Sequence, residues 1–246
     1  MVTMEWGEFV YAPPSARADD LIVPPADESH HLFRVRRIEP GKQVFVTDGE
    51  GMVYECVALT DRSLKILKSL PYFGEPARPI ILAAAVLKGD ANREVVDNAT
   101  QLGASTIIFF QGHRSEGHLR EDKVAKLRRI AITAIKQCGR ARLPEIELAS
   151  SLEAALTSLP ASCAKYIAHP FEDLREPGNS PGTGANECSA VIVGPEGGFT
   201  ESEVDFALRV GCRPLVLARR RLRAETAVAA GLTFLLARRG DFQAAP

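Results

Sequence analysis

Long apolar runs are missing from this chain. Nowhere among its 246 residues do eighteen apolar residues follow one another, and no apolar stretch follows a basic start at the N-terminus. The expectation is therefore neither a transmembrane helix nor a secretory signal, but a cytoplasmic protein away from membranes. Cysteine is scarce and scattered: Cys56, Cys138, Cys163, Cys188 and Cys212 are odd in number and form no C-x-x-C. That pattern disfavours a disulfide framework or a zinc site and suits a reducing compartment. The five histidines show no metal-ligand spacing, so no metal is expected. Excess charge is missing too, with 30 Lys and Arg against 31 Asp and Glu. Such a balance speaks against coating nucleic acid by bulk charge. Local basic patches would have to serve instead. The candidates are Arg34/Arg36/Arg37, Arg128/Arg129, Lys136/Arg140/Arg142 and the arginines of 219–223. For each of these the plain alternative is a solvated face.

What is present divides the chain in two. Residues 1–72 read as a small β-rich domain, with strands over 43–47, 53–59 and 63–70 and a hairpin turn at Asp48-Gly49-Glu50-Gly51. A short helix is expected over 26–36, with Asp27 as its cap. Pro71, Gly74, Pro76 and Pro79 mark a linker. From residue 80, strands (80–87, 106–111, 165–168, 190–193, 214–217) alternate with helices (92–102, 121–138, 151–159, 201–210, 224–239). This α/β alternation predicts a parallel sheet with helices on both faces. Residues 172–188 are rich in Gly, Pro, Asn and Ser and read as a surface loop.

Two segments near the C-terminus carry the chemistry. In VIVGPEGGFTESE (191–203) a buried-strand signal is broken by Gly194-Pro195, and Gly197-Gly198 permit φ > 0 and close backbone approach to a ligand. Thr200 with Glu203 forms a capping-box pattern at the start of the next helix. In LVLARRRLRAETAVAAG (215–231) a short strand leads through four arginines in five residues into an Ala/Leu-rich helix. Both have the form of ligand-binding crossovers at the carboxyl ends of strands. Neither G-x-G-x-x-G nor G-x-x-x-x-G-K-[ST] is present, which disfavours a dinucleotide or nucleotide enzyme. By spacing alone, a Gly-Gly pair is a turn and an arginine run a solvated face.

Taken together, GPEGGF and Leu217, Arg220, Leu222, Arg223, Glu225, Thr226 and Ala227 resemble the RsmE family, bacterial 16S rRNA uridine-N3 methyltransferases of the SPOUT superfamily. Further similar segments run in order along the chain. They are His30-His31-Leu32-Phe33-Arg34-Val35-Arg36-Arg37, Lys88-Gly89-Asp90, Gln137-Cys138-Gly139-Arg140 with Pro144-Glu145-Ile146, and His169-Pro170. The chain departs from the family pattern at Asn98, Gln101, Lys136 and Ala218, where Lys, Glu, Glu and Gly are usual.

The resemblance implies a PUA-like β-barrel (1–72) followed by a SPOUT-type, trefoil-knotted parallel-sheet domain (73–246). It implies a homodimer, with helix 224–239 as a candidate dimer face or ordinary core packing. It also implies S-adenosylmethionine as cofactor and 16S rRNA in the small ribosomal subunit as partner. Cofactor contacts would come from His169, Pro170, Gly194, Pro195, Glu196, Gly197, Gly198, Leu217, Ala218, Leu222 and Ala224. Arg220, Arg223 and Arg140 are the catalytic candidates, as cations that stabilise charge developing on uracil carbonyls. Glu196 has three alternatives: catalysis, capping the next helix, or holding its loop. His30, His31, Arg34, Arg36 and Arg37 would hold flanking RNA. The competing class is a non-catalytic RNA-binding or assembly factor on the same fold, for which the lost charges at Asn98 and Gln101 are the motive.

Overall fold

The structure, a computed structural model, describes residues 7–170 and 188–241. The loop expected over 172–188 therefore lies, up to residue 187, outside the described residues. The chain divides into two compact units, Met1–Glu75 with Ile132–Leu143, and Pro76–Ala131 with Pro144–Pro246. The first unit takes in a stretch from mid-sequence that a break between residues 72 and 73 does not contain.

The first unit holds β1 (Glu8–Tyr11), β2 (Arg17–Ala18), β3 (Leu21–Ile22), β4 (Gln43–Thr47), β5 (Met52–Ala58) and β6 (Leu64–Pro71), in sheet order β1-β4-β5-β6-β3-β2. The expected hairpin forms because the Asp48 carboxylate accepts the N–H groups of Glu50, Gly51 and Met52 at 2.7, 3.1 and 3.0 Å. Such local acceptance is why Asp favours turns. Alternate residues Val44, Val46, Tyr54 and Cys56 face one side, as a strand's period of two requires, and pack with Val10, Ile22 and Leu32. The expected helix over 26–36 is α1 (Ala26–His30), which widens into a π turn over His31–Val35. Its cap differs from expectation. Pro25 takes the N-cap position without a side-chain bond, and Asp27 lies in the first turn, where its charge suits the helix N-terminus.

In the second unit β7 (Ile80–Ala85), β8 (Ala104–Phe110), β9 (Glu145–Ala149), β10 (Ala164–Ala168), β11 (Ser189–Val193) and β12 (Arg213–Leu215) make one parallel sheet, in order β12-β10-β11-β7-β8-β9. Central β7 and β11 are buried at every position, as a parallel strand covered on both faces must be. Helices α2 (Ala91–Gln101) and α6 (Ala224–Arg239) pack on each other, α2 on β8 and α6 on β7 and β11. Helices α4 (Leu152–Ser158) and α5 (Glu201–Arg209) likewise pack together, with α4 over β7, β8 and β9. Strand periodicity divides the core between them. Ile81, Ala83 and Ala85 join Leu152, Leu156, Val204 and Ala207, whereas Val191 meets α6. That approach is close: a Cβ on Gly231 would stand 2.7 Å from Val191 Cγ2, so the helix accepts a weak helix former there. Val228, Leu232, Leu235 and Leu236 of α6 are buried in the same way, which gives this helix its core-packing role. Helix α3 (Glu121–Cys138) belongs to this unit up to Ala131 and to the first from Ile132.

Candidate active site

Three loops leave the carboxyl ends of neighbouring strands β10, β11 and β12, the place where open parallel sheets bind ligands. They enclose a cavity of about 880 Å³. Every expected cofactor contact lines it: His169 and Pro170 from the first loop, Gly194, Pro195, Glu196, Gly197 and Gly198 from the second, Leu217, Ala218, Leu222 and Ala224 from the third. Arg220 and Arg223 line it as well, as do Arg114, Arg219 and Arg221. Among the described residues Glu196 and Glu225 are the acidic lining residues against five arginines, so the wall they make is cationic on a chain whose net charge is −1.

The glycine-rich loop is built from inside. Gly198 has φ 72° and donates its N–H to Pro195 O at 2.8 Å, which closes the turn. A Cβ on Gly194 would stand 3.0 Å from the Phe199 ring, and one on Gly197 would stand 3.0 Å from Arg114 Cβ. The side-chain direction at those two glycines is thus taken by Phe199 and Arg114, whereas a Cβ on Gly198 would meet nothing within 4 Å, and both Gly197 and Gly198 line the cavity. The predicted capping box is present: Thr200 Oγ1 accepts the Glu203 N–H, and Glu203 Oε2 accepts the Thr200 N–H at 2.7 Å. Glu203 is buried, and its other oxygen accepts the His113 N–H at 3.0 Å.

Residues from three other segments then fasten this loop. The Lys88 N–H donates to Glu196 Oε1 at 3.1 Å, and Arg221 donates to Glu196 O. Arg114 Nη1 donates to both Gly197 O and Phe199 O, each at 3.1 Å. Of the three alternatives for Glu196, its contacts are those of loop holding. The 216–222 stretch behaves differently. Among the described residues none of its peptide groups has a hydrogen-bond partner, although 216–218 and 222 are half-buried. Its strand also ends at Leu215 rather than 217, because Val216 and Leu217 leave the sheet for the cavity wall.

His169 is anchored by its N–H on Leu215 O at 3.1 Å, and its ring meets Phe199 edge-on with centroids 6.2 Å apart. Burial pushes its pKa below 6.5, and the Arg114 charge pushes the same way. Arg220 and Arg223 are exposed, and neither makes an ion pair or hydrogen bond among the described residues. Arg223 occupies the N-cap position of α6 without a side-chain cap bond.

Arg140 is not part of this cavity's lining. Its side chain is 2% exposed and holds Glu75 with two bonds, Nε at 3.2 Å and Nη2 at 2.7 Å, inside the first unit. The Glu75 carboxylate also accepts the Arg142 N–H at 2.8 Å. A guanidinium so enclosed supports the fold, which corrects its assignment as a catalytic cation. Lys136 is likewise engaged, on the buried Glu28 at 2.6 Å, so the patch Lys136/Arg140/Arg142 is not a free basic surface. His30 lies at the surface of the first unit beside His31, Arg34, Arg36 and Arg37, all exposed. Of these Arg36 pairs with Glu8, whose carboxyl it holds below the usual range. A second hollow of about 530 Å³ there is lined by Arg36, Arg37, Lys42, Glu8 and Glu39. Among the described residues no cluster of His, Cys, Asp and Glu has a metal-binding arrangement, and no helix is long and apolar enough to cross a membrane.

Sequence reasoning missed Arg114 and the clasp made by Asn92, whose side chain bonds both the N–H and the C=O of Leu87 at 3.0 and 2.8 Å. Neither residue carries a spacing signal, because the partners are backbone groups.

The family model of an RNA methyltransferase domain matches residues 74–236, and that of an RNA methyltransferase PUA domain matches residues 24–58. Ribosomal RNA small subunit methyltransferase E of Aquifex aeolicus is 30% identical over 228 residues, covering 89% of this chain and 96% of that protein. Its Bacillus subtilis namesake is 27% identical over 216 residues, covering 82% and 84%. Among solved structures, ribosomal RNA small subunit methyltransferase E of Neisseria gonorrhoeae bound to S-adenosyl methionine superposes with a TM-score of 0.77 at 25% identity, covering 94% of this chain and 97% of that one. A Legionella pneumophila methyltransferase in complex with SAM reaches 0.79 at 26% identity, with the same coverage. On these matches, and with a PUA-like domain joined to a SPOUT-type α/β domain, the chain belongs to the ribosomal RNA small subunit methyltransferase E family.

Proposed function

We propose that this protein transfers the methyl group of S-adenosylmethionine to N3 of a uridine in 16S rRNA of the small ribosomal subunit. The observation that carries the reading is the cavity at the ends of β10, β11 and β12, whose third loop brings to it peptide groups of 216–222 and the arginines Arg220 and Arg223, none with a hydrogen-bond partner among the described residues. The residues present fit the cofactor. Peptide N–H and C=O groups of 216–222 match the donors and acceptors on an adenine edge, and half-buried peptide groups without a partner call for one. Burial, and after it the Arg114 charge, lowers the His169 pKa, which disfavours a positive charge on this ring in the cavity wall.

The cofactor supplies an electrophilic methyl group. The chain's task is to hold the base in line with it and to exclude water, and positioning alone contributes several powers of ten. As the N3 proton leaves, negative charge grows on the flanking uracil oxygens. Arg220 and Arg223, exposed on the cavity wall and without an ion pair among the described residues, are the groups to receive it. N3 lies on the Watson–Crick edge, so the target must be unpaired or flipped out. His30, His31, Arg34, Arg36 and Arg37 of the first unit would contact phosphates of the flanking RNA. The working form is a homodimer in the cytoplasm.

The test is transfer of a labelled methyl group from S-adenosylmethionine to small subunits from a strain lacking this modification, followed by nucleoside analysis. Labelled N3-methyluridine is the expected product. Cofactor binding without transfer would mean a different RNA or assembly state, and absence of cofactor binding would leave only the fold in common with the family.

A further inference from the structure

We infer that Arg114 is a positioning residue for the methyl-donor cavity, acting through the loop 194–199. The inference rests on the methyltransferase reading above. Arg114 lies on the loop after β8, outside the three loops that end β10, β11 and β12, yet it lines their cavity. One terminal nitrogen, Nη1, spends both its hydrogens on Gly197 O and Phe199 O, at 3.1 Å each. Those two carbonyls flank Gly198, the residue at φ 72° on which the turn depends. A cation bonded to both therefore fixes the turn's geometry, and bonds of that kind are stronger than neutral ones.

The fit continues in the side-chain stem. Gly197 lets Arg114 pass closely, since a Cβ there would stand 3.0 Å from Arg114 Cβ, tighter than ordinary contact, and 3.4 Å from its carbonyl oxygen. The Arg114 segment is itself held in place. Buried Glu203 accepts the His113 N–H with one oxygen and the Thr200 N–H with the other, at 3.0 and 2.7 Å. One carboxylate thus ties the residue before the arginine to the far end of the loop that the arginine's side chain holds. Lys88 and Arg221 fasten only Glu196, so the side-chain hydrogen bonds to the second half of the loop come from Arg114, beside the burial of the Phe199 ring. The remaining Nε and Nη2 hydrogens have no acceptor among the described residues, so the whole of its bonding goes to this loop.

Three variants test the assignment: Arg114→Ala, Arg114→Met and Arg114→Lys, in the full-length protein. Binding of S-adenosylhomocysteine is measured by calorimetry, and backbone amide exchange at 197–199 is measured without ligand. Arg114→Ala and Arg114→Met should weaken binding about tenfold or more, as loss of bonds to a charged donor does. Exchange at 197–199 should quicken while the melting temperature stays near that of the parent. Arg114→Lys, which keeps the charge and reaches one carbonyl, should recover part of the affinity. In steady state the loss should fall on the cofactor KM more than on kcat. Parent-like affinity and exchange in Arg114→Ala would overturn the inference, as would a fall in melting temperature with unchanged exchange at 197–199. If the parent itself binds no S-adenosylhomocysteine, the methyltransferase reading fails, and the exchange measurement still decides whether Arg114 holds the loop.

Discussion

Arg140 and Arg223 are both arginines of family motifs, and the fold uses them in opposite ways. Arg140 is enclosed with Glu75 in the first unit, where two of its nitrogens hold that carboxylate. Arg223 stands exposed on the cavity wall of the second unit and makes no ion pair among the described residues. The residue type is the same, so the difference lies in the neighbours. An arginine with a buried acid is consumed in stability; one without is available to a substrate. Arg36, exposed but paired with Glu8, lies between these extremes.

The largest effect should come from the enclosed arginine. Arg140→Ala strands the Glu75 carboxylate in the interior, and breaking a buried pair from one side costs about 3–5 kcal/mol. Urea denaturation should show that loss, with turnover per folded molecule unchanged. Replacing both partners, Arg140→Met with Glu75→Leu, should restore most of it, because no charge is then left unpaired. A stable Arg140→Ala protein without methyl transfer would put the arginine back in the chemistry and remove the contrast.

Next in size is Arg223→Ala. Removing a preorganised donor at a developing oxyanion typically lowers kcat by about 10²–10³-fold. Stability should stay within about 0.5 kcal/mol, as for exposed positions without partners. Arg220→Ala should behave similarly. The measurement is methyl transfer beside a thermal melt on the same preparation, and near-parent turnover in both variants would take these arginines out of the mechanism.

How much of this was legible in the sequence depends on where each partner lies. Thr200 with Glu203, and Asp48 with its turn, bond within four residues, so their types and spacing announce them. Central strands β7 and β11 were readable because burial on both faces makes them continuously apolar. Strand β9 was not: it is short, lies at the sheet's edge and is partly exposed, so its EIELA pattern lacks a burial signal. Strands β2 and β3 have two residues each, too few for any period. The cavity's expected lining residues came with the family motifs. Arg114 did not, because its acceptors are carbonyls 83 and 85 residues away and a carbonyl has no side-chain signature. Arg140 misled for the converse reason, since a motif marks that a residue matters without saying to what, and Glu75 is 65 residues distant.

A pH titration should give a smaller effect at the cavity. His169 has its pKa lowered from 6.5, first by burial and then by Arg114. As pH falls, the unfolded chain takes up this proton before the folded one does. Stability is therefore full above about 6.5 and declines as pH drops toward the folded value, with no further loss from this group below it. Affinity for S-adenosylhomocysteine should weaken over the same window, as a second positive charge appears beside Arg114. Parent and His169→Gln can be compared by melts and calorimetry in steps from neutral pH downward. The same slope in both would mean that another group titrates. Glu8 gives a separate window: its pKa is lowered from 4.5 by the bond to Arg36, so its contribution is lost only in more acid solution.

Arg36→Ala should change stability least, and for that reason it isolates the third kind of arginine. Its guanidinium is solvated and its bond to Glu8 lies at the surface, where ion pairs are screened and worth little. Removing it should leave the melting temperature where it was. If this face meets RNA, a phosphate competes with Glu8 for the guanidinium, and the loss appears in RNA affinity instead. The slope of log affinity against log salt should then fall by roughly one for the contact removed. Glu8→Gln should act in the opposite direction, since it frees Arg36 for phosphate without removing the cation. A change in melting temperature with the salt slope intact would instead group Arg36 with Arg140, as an arginine whose acid partner has already claimed it.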